Sequence, residues 1–317
     1  MSVRTGGVPF NQANTVSNKN RIFRSKKQNI INPFAFQYCM KVILSRKGFD
    51  DENGGYPSPI LPDGRLISLP IPSKDHIFYS DLKLDENMSY YDLMKGLKPT
   101  IKYDGKWHDL TKDSECHLDP DIRGTIIKRL DNWKPCFGQI GASQTHLLKQ
   151  GISKDDLFLF FGTFRRTKFL DGKYIFDKKA EKLHLIFNYL QIRDIIQINE
   201  KYKVLDWMKY HPHTSRDRRK ISTNAIYIAR EKLSWNSNIK GAGCFRYNSK
   251  LVLTKKGYSK SRWNLPTFFK EAEISRHSLS SWKKEGYFRS VSKGQELVIQ
   301  DNKKVENWAR DIIKQGV

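Results

Sequence analysis

An almost uninterrupted apolar run, Asp156–Phe164, constrains the fold of this chain more than any other feature. After the aspartate it reads Leu-Phe-Leu-Phe-Phe-Gly-Thr-Phe, without the alternation of polar and apolar side chains that a strand with one solvated face would show. The run therefore predicts a central strand that is covered on both faces. Met40–Leu44 and Asn224–Ala229 are shorter apolar runs, and they predict two further buried strands.

The remaining periodicity predicts a hairpin, more strands and a helix. Asp171-Gly172 lies inside Phe169–Phe176 and supplies the two positive φ angles of a type I′ hairpin turn. Leu183–Ile198 is apolar at both strand and helix spacings, and we favour strands there, whereas Tyr90–Lys98 predicts a short helix. Together these signals predict an α+β fold with a mixed or antiparallel central sheet, hairpins and peripheral helices.

The composition changes along the chain suggest its domain organisation. Residues 1–39 contain no Asp or Glu and no apolar period, so they predict a disordered basic extension. This extension is either a segment upstream of a true start at Met40 or an arm that contacts DNA. Residues 40–317 are predicted to form a single domain, in which residues 236–317 are a candidate basic C-terminal subdomain. Gly54–Pro72 is dense in Gly and Pro, which predicts a long loop without regular structure.

The charge of the chain indicates its partner. There are 57 Lys and Arg against 33 Asp and Glu, a formal charge of +24. Such a surplus on an aromatic-rich chain is typical of a polyanion-binding protein, and we predict DNA because basic and aromatic residues are interleaved, as in Lys260–Trp263. A basic surface without a nucleic-acid partner, or a patch for anionic lipid, is the alternative.

Other locations and partners are disfavoured by the sequence. It holds no apolar run of about 18 residues and no basic amphipathic helix, so no membrane association is predicted. The four cysteines are scattered without a CxxC pair, which excludes a disulfide scaffold and favours the reducing cytoplasm. No obligate protein partner is evident.

The first candidate site follows the first predicted strand. Arg46 and Lys47 would keep the carboxylate of Asp50 ionised and would also receive phosphate oxygens. The paired glycines that follow allow a backbone to approach a ligand closely, and Ser58 beyond them is a candidate binding residue. A solvated turn with an exposed ion pair is the alternative interpretation.

The second candidate site is the string Cys-His-Leu-Asp-Pro-Asp at residues 116–121. His117 and Asp119 are suited to acid–base catalysis, and Asp119 with Asp121 would suit a hard metal ion. The same string is also an ordinary turn or the start of a helix, with Asp119 as its cap.

Two further motifs add histidines and glutamines. His211 and His213 lie at alternate positions, but no third ligand follows at a recognised metal-site spacing, so a proton donor or phosphate contact is favoured over a metal. Gln139 and Gln144 carry amide groups of the kind that read base edges. The Walker lysine, GxGxxG, GxSxG and HExxH are absent, and we predict neither a metal nor a cofactor.

Taken together, these strings resemble the third class of the bacterial and phage "nucleotide modification associated domain" proteins. The strings that carry the resemblance are Met40–Asp50, Pro57–Gly64, His117–Asp121, Phe137–Gly141, Leu157–Gly162, His211–His213, Trp263–Pro266 and Gly294–Glu296. The class is named for its association with genes that make or process hypermodified DNA bases. The resemblance therefore implies a role in conflict between phage and host over such bases.

The function hypothesis that follows is a DNA glycosylase that removes a glucosylated hydroxymethylcytosine from phage DNA in antiviral defence. Breaking an N-glycosidic bond needs a carboxylate beside the sugar, a proton donor, and cationic groups that hold the everted nucleotide. The predicted roles are as follows: catalytic carboxylate, Asp50 and then Asp119; proton donors, His117 and His211; base-edge readers, Gln139 and Gln144; phosphate contacts, Arg46, Lys47 and His213. A non-catalytic reader of modified DNA, a transferase and a Mg²⁺-dependent nuclease are the alternatives.

Overall fold

In the computed structural model of this chain, the apolar run begins a 14-residue strand, Leu157–Leu170, which lies inside a mixed sheet. The structure describes residues 39–291 and 295–316. The predicted basic extension, residues 1–39, lies outside the described residues except for Cys39.

The described strands and α-helices follow one another along the whole chain. The strands are β1 (Val42–Arg46), β2 (Ser58–Ile60), β3 (Ile71–Pro72), β4 (Thr100–Tyr103), β5 (Lys106–Asp109), β6 (Cys116–His117), β7 (Cys136–Gln139), β8 (Leu157–Leu170), β9 (Lys173–Phe176), β10 (Leu183–Gln197), β11 (Ala225–Ala229), β12 (Lys232–Leu233), β13 (Asn236–Lys240), β14 (Ala242–Cys244), β15 (Arg262–Trp263), β16 (Phe288–Arg289) and β17 (Glu296–Ile299). The helices are α1 (Tyr90–Leu97), α2 (Gly141–Lys149), α3 (Arg216–Arg219) and α4 (Lys303–Gly316).

Nine of the described strands form the central sheet, in the order β17-β1-β8-β10-β11-β7, with β2 and β9 also paired to β8 and β14 to β10. β1 and β2 run parallel to β8, and the other pairs are antiparallel. The predicted α+β fold with a mixed sheet is therefore confirmed. The predicted hairpin is confirmed as well: β8 and β9 are joined at Asp171 and Gly172, whose φ angles are 49° and 75°.

The sheet is covered by apolar side chains on both faces, as the long apolar run predicts. Phe137, Phe158 and Phe160 pack ring against ring at centroid distances of 5.0 to 5.7 Å. A second buried cluster, which includes Phe49, Tyr79 and other residues between positions 49 and 126, lies beside the first. The Gly- and Pro-dense segment takes part in it and contains β2 and β3, so the expectation of a long loop without regular structure was wrong there.

The helices follow from local sequence signals. Helix α1 begins after Ser89, whose hydroxyl accepts a hydrogen bond from the backbone N–H of Asp92, while the Asp92 carboxylate accepts one from the backbone N–H of Ser89. Helix α4 buries Val305, Ala309 and Ile312, which recur at helical spacing. None of the described helices is long and apolar enough to cross a membrane.

The C-terminal residues belong to the same core as the central sheet. Strand β17 extends the sheet beside β1, and Trp263, Phe288 and Val298 are buried in the cluster that contains Phe158. Between β15 and β16, residues Leu279–Ser281 form a 3₁₀ turn.

Candidate functional site

Six segments of the chain meet at one cleft of about 520 Å³. They are the end of β1 with the loop after it, β3 with Ser73, the end of β6 with the turn after it, the end of β7, the 3₁₀ turn Pro212–Thr214 with helix α3 behind it, and Gln295 before β17. The residues that carry polar groups into the cleft are Arg46, Lys47, Asp50, Glu52, Asn53, Ser73, His117, Asp119, Gln139, His213, Arg218 and Gln295. The volume is within the range of about 300–1,000 Å³ that is typical of ligand sites.

Asp119 lies at the floor of this cleft, with only 4% of its side chain exposed. One carboxylate oxygen, Oδ1, accepts a hydrogen bond of 2.8 Å from the backbone N–H of Gly138 and lies 3.3 Å from Nε2 of His211. Burial alone would raise the pKa of Asp119, but the hydrogen bond with His211 and the electrostatic influence of the neighbouring imidazoles lower that pKa to about 2. The other oxygen, Oδ2, faces His117 at 4.0 Å from Nε2.

His117 is oriented by an acidic partner behind it. Its Nδ1 lies 2.8 Å from Oδ2 of Asp75, and Arg218 forms a two-pronged ion pair with the same carboxylate. Burial opposes the ionisation of Asp75, but these hydrogen bonds hold its pKa well below the usual range. Because an ionised carboxylate only accepts hydrogen bonds, Nδ1 of His117 donates to Asp75, which leaves Nε2 facing the cleft as the nitrogen that carries the lone pair of the neutral imidazole.

His213 is oriented in the same way by an amide. Its Nδ1 lies 2.8 Å from Oδ1 of Asn224, and the Asn224 amide nitrogen donates to the backbone carbonyls of Ile198 and His213 at 3.0 and 2.8 Å. The amide oxygen therefore faces Nδ1, so Nδ1 donates and Nε2 carries the lone pair. Burial lowers the pKa of His213 to about 3, and the ring is neutral at pH 7.

His211 supports the cluster from behind. Its Nδ1 accepts a hydrogen bond of 3.2 Å from the backbone N–H of His213, so the ring proton is on Nε2, which points at Asp119. Only 1% of the His211 side chain is exposed. His211 therefore acts on the cleft through Asp119.

Gly138 leaves the space that His213 occupies. A Cβ atom at this position would lie 2.2 Å from Cδ2 and 2.7 Å from Nε2 of the His213 ring. Any larger residue would displace the imidazole, so the glycine after Phe137 is required by the site.

The cationic side of the cleft is built on β1 and β17. Lys47 lies 3.0 Å from Oε1 of Glu296, which is fully buried, and 4.6 Å from the centre of the Phe137 ring. Gln139 donates to the same Glu296 oxygen at 2.5 Å. Arg46 also lines the cleft.

The structure brings together most, but not all, of the residues predicted from the sequence. Asp50 lines the cleft, but its Oδ1 accepts hydrogen bonds from the backbone N–H groups of Glu52 and Asn53 at 2.9 and 2.7 Å, so one oxygen caps a turn. Gln144 is 1% exposed and accepts a hydrogen bond of 2.9 Å from Tyr227. This amide lies in the core and does not reach the cleft.

Ser58 and Asp121 also lie away from the cleft. The Ser58 hydroxyl is buried and accepts a hydrogen bond of 3.0 Å from the backbone N–H of Leu69. Asp121 is paired with Arg129 and Trp133, so the carboxylates of residues 119 and 121 do not form a joint metal site.

Sequence reasoning missed Asp75, Asn224 and Glu296. Their partners in the site are 42, 11 and 249 residues away along the chain. Asp75 lies in a stretch that carries no motif, whereas Glu296 ends the string Gly294–Glu296, which carries part of the family resemblance but does not indicate a role in the site. Asn224 had a usable signal, because it opens the buried strand that was predicted at 224–229.

The comparisons with known proteins give one match. The sequence model of a family described as nucleotide modification associated domain 3 matches residues 41–300. No curated protein and no solved structure is significantly similar to the chain. Because the match covers most of the chain, the resemblance found in the sequence is confirmed: the chain belongs to the nucleotide modification associated domain 3 family, and its function is associated with nucleotide modification.

Proposed function

We propose that this protein is a DNA glycosylase that excises a hypermodified cytosine, glucosylated at a hydroxymethyl group, from phage DNA. One observation carries the proposal: the buried Asp119 carboxylate lines a cleft that Arg46 and Lys47 also line, on a domain associated with nucleotide modification. The excess charge of +24 favours DNA as the polyanion.

The cleft suits a nucleotide that has been turned out of the duplex. Base-processing enzymes evert their target into a pocket and hold the backbone with cations. Arg46 and Lys47 line the cleft and would contact phosphates, and Gln139 lines it as well, although its amide nitrogen already donates to Glu296. A volume of about 520 Å³ leaves room for a base that carries a bulky substituent.

The chemistry needs one negative group and one polarised water. As the bond between C1′ and the base nitrogen breaks, its electron pair leaves with the base and positive charge develops on the sugar. The Asp119 carboxylate, held by Gly138 and His211, would stabilise that charge. A water held at the lone pairs of His117 and His213 adds to C1′ and loses one proton as the new C–O bond forms. The departing base takes up one proton from solvent, so the products are a hydroxyl on the sugar and the neutral free base.

Two observations favour Asp119 over Asp50 as the carboxylate that acts on the sugar. Asp119 lies against His117 and His211 (4.0 and 3.3 Å), whereas an oxygen of Asp50 is bound by the turn that follows it. Asp50 stays a second candidate, because it lines the same cleft.

The proposal is tested with phage DNA that contains glucosylated hydroxymethylcytosine and with unmodified DNA of the same sequence. We expect mass spectrometry to detect free modified base, and an aldehyde-reactive probe to detect abasic sites, only with the modified DNA. Asp119→Asn should reduce base release by about 10²- to 10⁴-fold while DNA binding is retained. Asp109→Asn, at an exposed position in β5, is the matched control and should keep full activity.

Two outcomes would contradict the proposal. Tight binding of modified DNA without release of a base would identify a reader, and strand cleavage without a free base would identify a nuclease. Full activity of Asp119→Asn together with loss of activity in Asp50→Asn would move the catalytic role to Asp50.

A further inference from the structure

We propose that His117, Asp119 and His213 form a binding site for a divalent transition-metal ion. The sequence predicts no metal, because the His211–His213 spacing lacks a third ligand. The fold supplies the missing ligands from another segment: one donor atom from each of His117, Asp119 and His213 lies within 4.8 Å of the other two.

The three donor atoms are arranged as metal ligands are. Nε2 of His117 and Oδ2 of Asp119 are 4.0 Å apart, and the rings of His117 and His213 have their centres 5.4 Å apart. An ion at about 2.0–2.2 Å from each donor fits between groups at this separation after a small contraction. The arrangement is two imidazoles and one carboxylate on one side of the ion, which leaves the side towards the cleft open.

The hydrogen bonds around the site leave three lone pairs converging without a donor. Asp75 fixes the proton of His117 on Nδ1, and Asn224 does the same for His213. Gly138 and His211 occupy Oδ1 of Asp119, so Oδ2 is the oxygen that remains. Within residues 39–291 and 295–316, no side chain or backbone N–H donates to either Nε2 or to this oxygen. A cation at the centre would satisfy all three.

The outer partners match those of metal-bound histidines in general. A ligating imidazole almost always donates its other ring N–H to a carboxylate, an amide or a carbonyl oxygen, which fixes both its tautomer and its orientation. His117 has the Asp75–Arg218 pair in that place, and His213 has Asn224. These hydrogen bonds fix the orientation of both rings and raise the basicity of each Nε2, which makes both histidines stronger metal ligands.

The ligand types restrict which ions bind. Two imidazoles favour zinc, iron, cobalt or nickel over magnesium and calcium, which prefer oxygen ligands. Three protein ligands with an open position are typical of a catalytic ion that holds a water, whereas structural zinc sites have four protein ligands. We therefore expect one such ion per chain with water in the open position.

The metal site does not depend on the proposed excision. If both hold, His117, Asp119 and His213 would hold the ion, and the ion would replace the two imidazole lone pairs as the group that binds the attacking water and lowers the pKa of that water. If the metal site is right and base excision is wrong, or the reverse, the experiments distinguish the two proposals. Metal binding is measured without DNA, and base release is measured with and without a chelator.

The test uses the full chain, stripped with a chelator and titrated with Co²⁺ and Zn²⁺. We expect Co²⁺ to bind with one ion per chain and to give a visible absorption band that Zn²⁺ abolishes. X-ray absorption of the zinc-loaded protein should show two imidazoles in the first shell. Both measurements use the unaltered chain, so they test the metal site even if a variant fails to fold.

Variants assign the ligands. His117→Ala and His213→Ala should each weaken zinc binding by at least about 100-fold. Each variant loses a metal ligand, and losing only the hydrogen-bond partner of a ligand already lowers metal affinity by about 10- to 100-fold. His108→Ala, at an exposed histidine of β5, should bind zinc as the unaltered chain does. Absence of a Co²⁺ band in the unaltered chain, a first shell without imidazole, or unchanged affinity in folded His117→Ala would each overturn the proposal.

Discussion

At the scale of single residues, the site depends on Gly138, because this residue has no side chain. Gly138 has no Cβ, and the ring of His213 occupies that space. Gly138 also donates its backbone N–H to Asp119, so one residue sets the position of two groups in the cleft. The requirement is steric, because an added Cβ would lie 2.2 Å from the imidazole.

Gly138→Ala is therefore expected to damage the site more than the fold. The alanine methyl must push the His213 ring out of place, at a stability cost of about 1–3 kcal/mol, which is typical of overpacking. Base release and zinc affinity should each fall at least about tenfold. The matched control is Gly257→Ala, at a position with a φ of 78° and open space around it. It should lose about 1 kcal/mol with the site intact, and equal damage to the site in both variants would contradict this account.

A second residue-scale prediction concerns acid stability. His184 is buried and its Nδ1 accepts a hydrogen bond of 3.1 Å from the Trp263 indole N–H, and burial lowers its pKa to about 3. The unfolded chain binds a proton at this histidine below about pH 6.5, whereas the folded chain does not until about pH 3, so stability falls as the pH drops through that window.

Urea unfolding at several pH values measures this contribution. His184→Gln cannot take up the proton, so the slope of its unfolding free energy against pH between pH 6 and 4 should be smaller than that of the unaltered chain, by up to about 1.4 kcal/mol per pH unit. Parallel slopes for the two proteins would show that His184 is not buried in its neutral form.

Sequence reasoning found residues of the cleft that lie in recognisable strings, and it missed their partners. His117, Asp119 and His213 lie in short strings that combine His or Asp with Pro, so they could be recognised from the sequence alone. Asp75 reaches His117 across 42 residues and Arg218 across 143. Such pairs exist only after the chain has folded, so no spacing rule could have given them.

At the scale of elements, the turn that carries Asp119 is fixed by an ion pair below it. Asp121 pairs in an antiparallel bridge with Cys136 at the start of β7, and its carboxylate accepts hydrogen bonds from Arg129 and Trp133. Both partners of the ion pair are largely buried. The backbone bridge thus joins the segment after β6 to β7, the ion pair holds Asp121 to Arg129 within that segment, and Asp119 accepts a hydrogen bond from Gly138 of β7.

Removing Arg129 alone should be costly, because it leaves Asp121 buried without its countercharge. We expect Arg129→Ala to lower the free energy of unfolding by about 3–5 kcal/mol. In a double-mutant cycle, Arg129→Ala in an Asp121→Asn background should cost clearly less, since the charge is already gone. Chemical denaturation measures the free energy of unfolding of each variant. If Arg129→Ala lowers it equally with and without Asp121→Asn, the two side chains do not interact.

Elements with local signals were predictable, and long-range pairings were not. The hairpin of β8 and β9 is specified by Asp171-Gly172 between its strands. Strand β17 joins β1 across more than 250 residues, and only the folded sheet shows that Glu296 stands beside Lys47. The segment at residues 54–72 looked irregular because it is rich in Gly and Pro. Several of its apolar side chains are nevertheless buried in the second cluster, which other residues between positions 49 and 126 also form.

At the scale of the whole molecule, the proposed association with DNA rests on the excess of positive charge. A surplus of +24 is larger than a single phosphate-binding cleft requires. Beyond the cleft, Arg262 lies 5.2 Å from the Tyr287 ring and 5.7 Å from the Tyr258 ring, and Lys255 lies 4.9 Å from the latter. This mixture of cations and aromatic faces suits backbone contacts and stacking more than the reading of one sequence.

DNA affinity is therefore expected to depend steeply on salt. If on the order of six phosphates are neutralised, the affinity for unmodified duplex should fall by about 10³-fold between 50 and 200 mM salt. Arg262→Ala should weaken binding to modified and unmodified DNA equally and reduce the salt slope by about one unit. Fluorescence anisotropy measures both, and affinity that is insensitive to salt would contradict an electrostatic association.

The most direct test of the account is a single-turnover measurement of modified base released from glucosylated phage DNA, with enzyme in excess, by the unaltered chain and by Asp119→Asn. The account predicts stoichiometric release by the unaltered chain and a rate reduced at least about 100-fold in the variant at undiminished DNA affinity. Equal rates in the two proteins, or no free base from either, would contradict the claim that the Asp119 cleft excises bases.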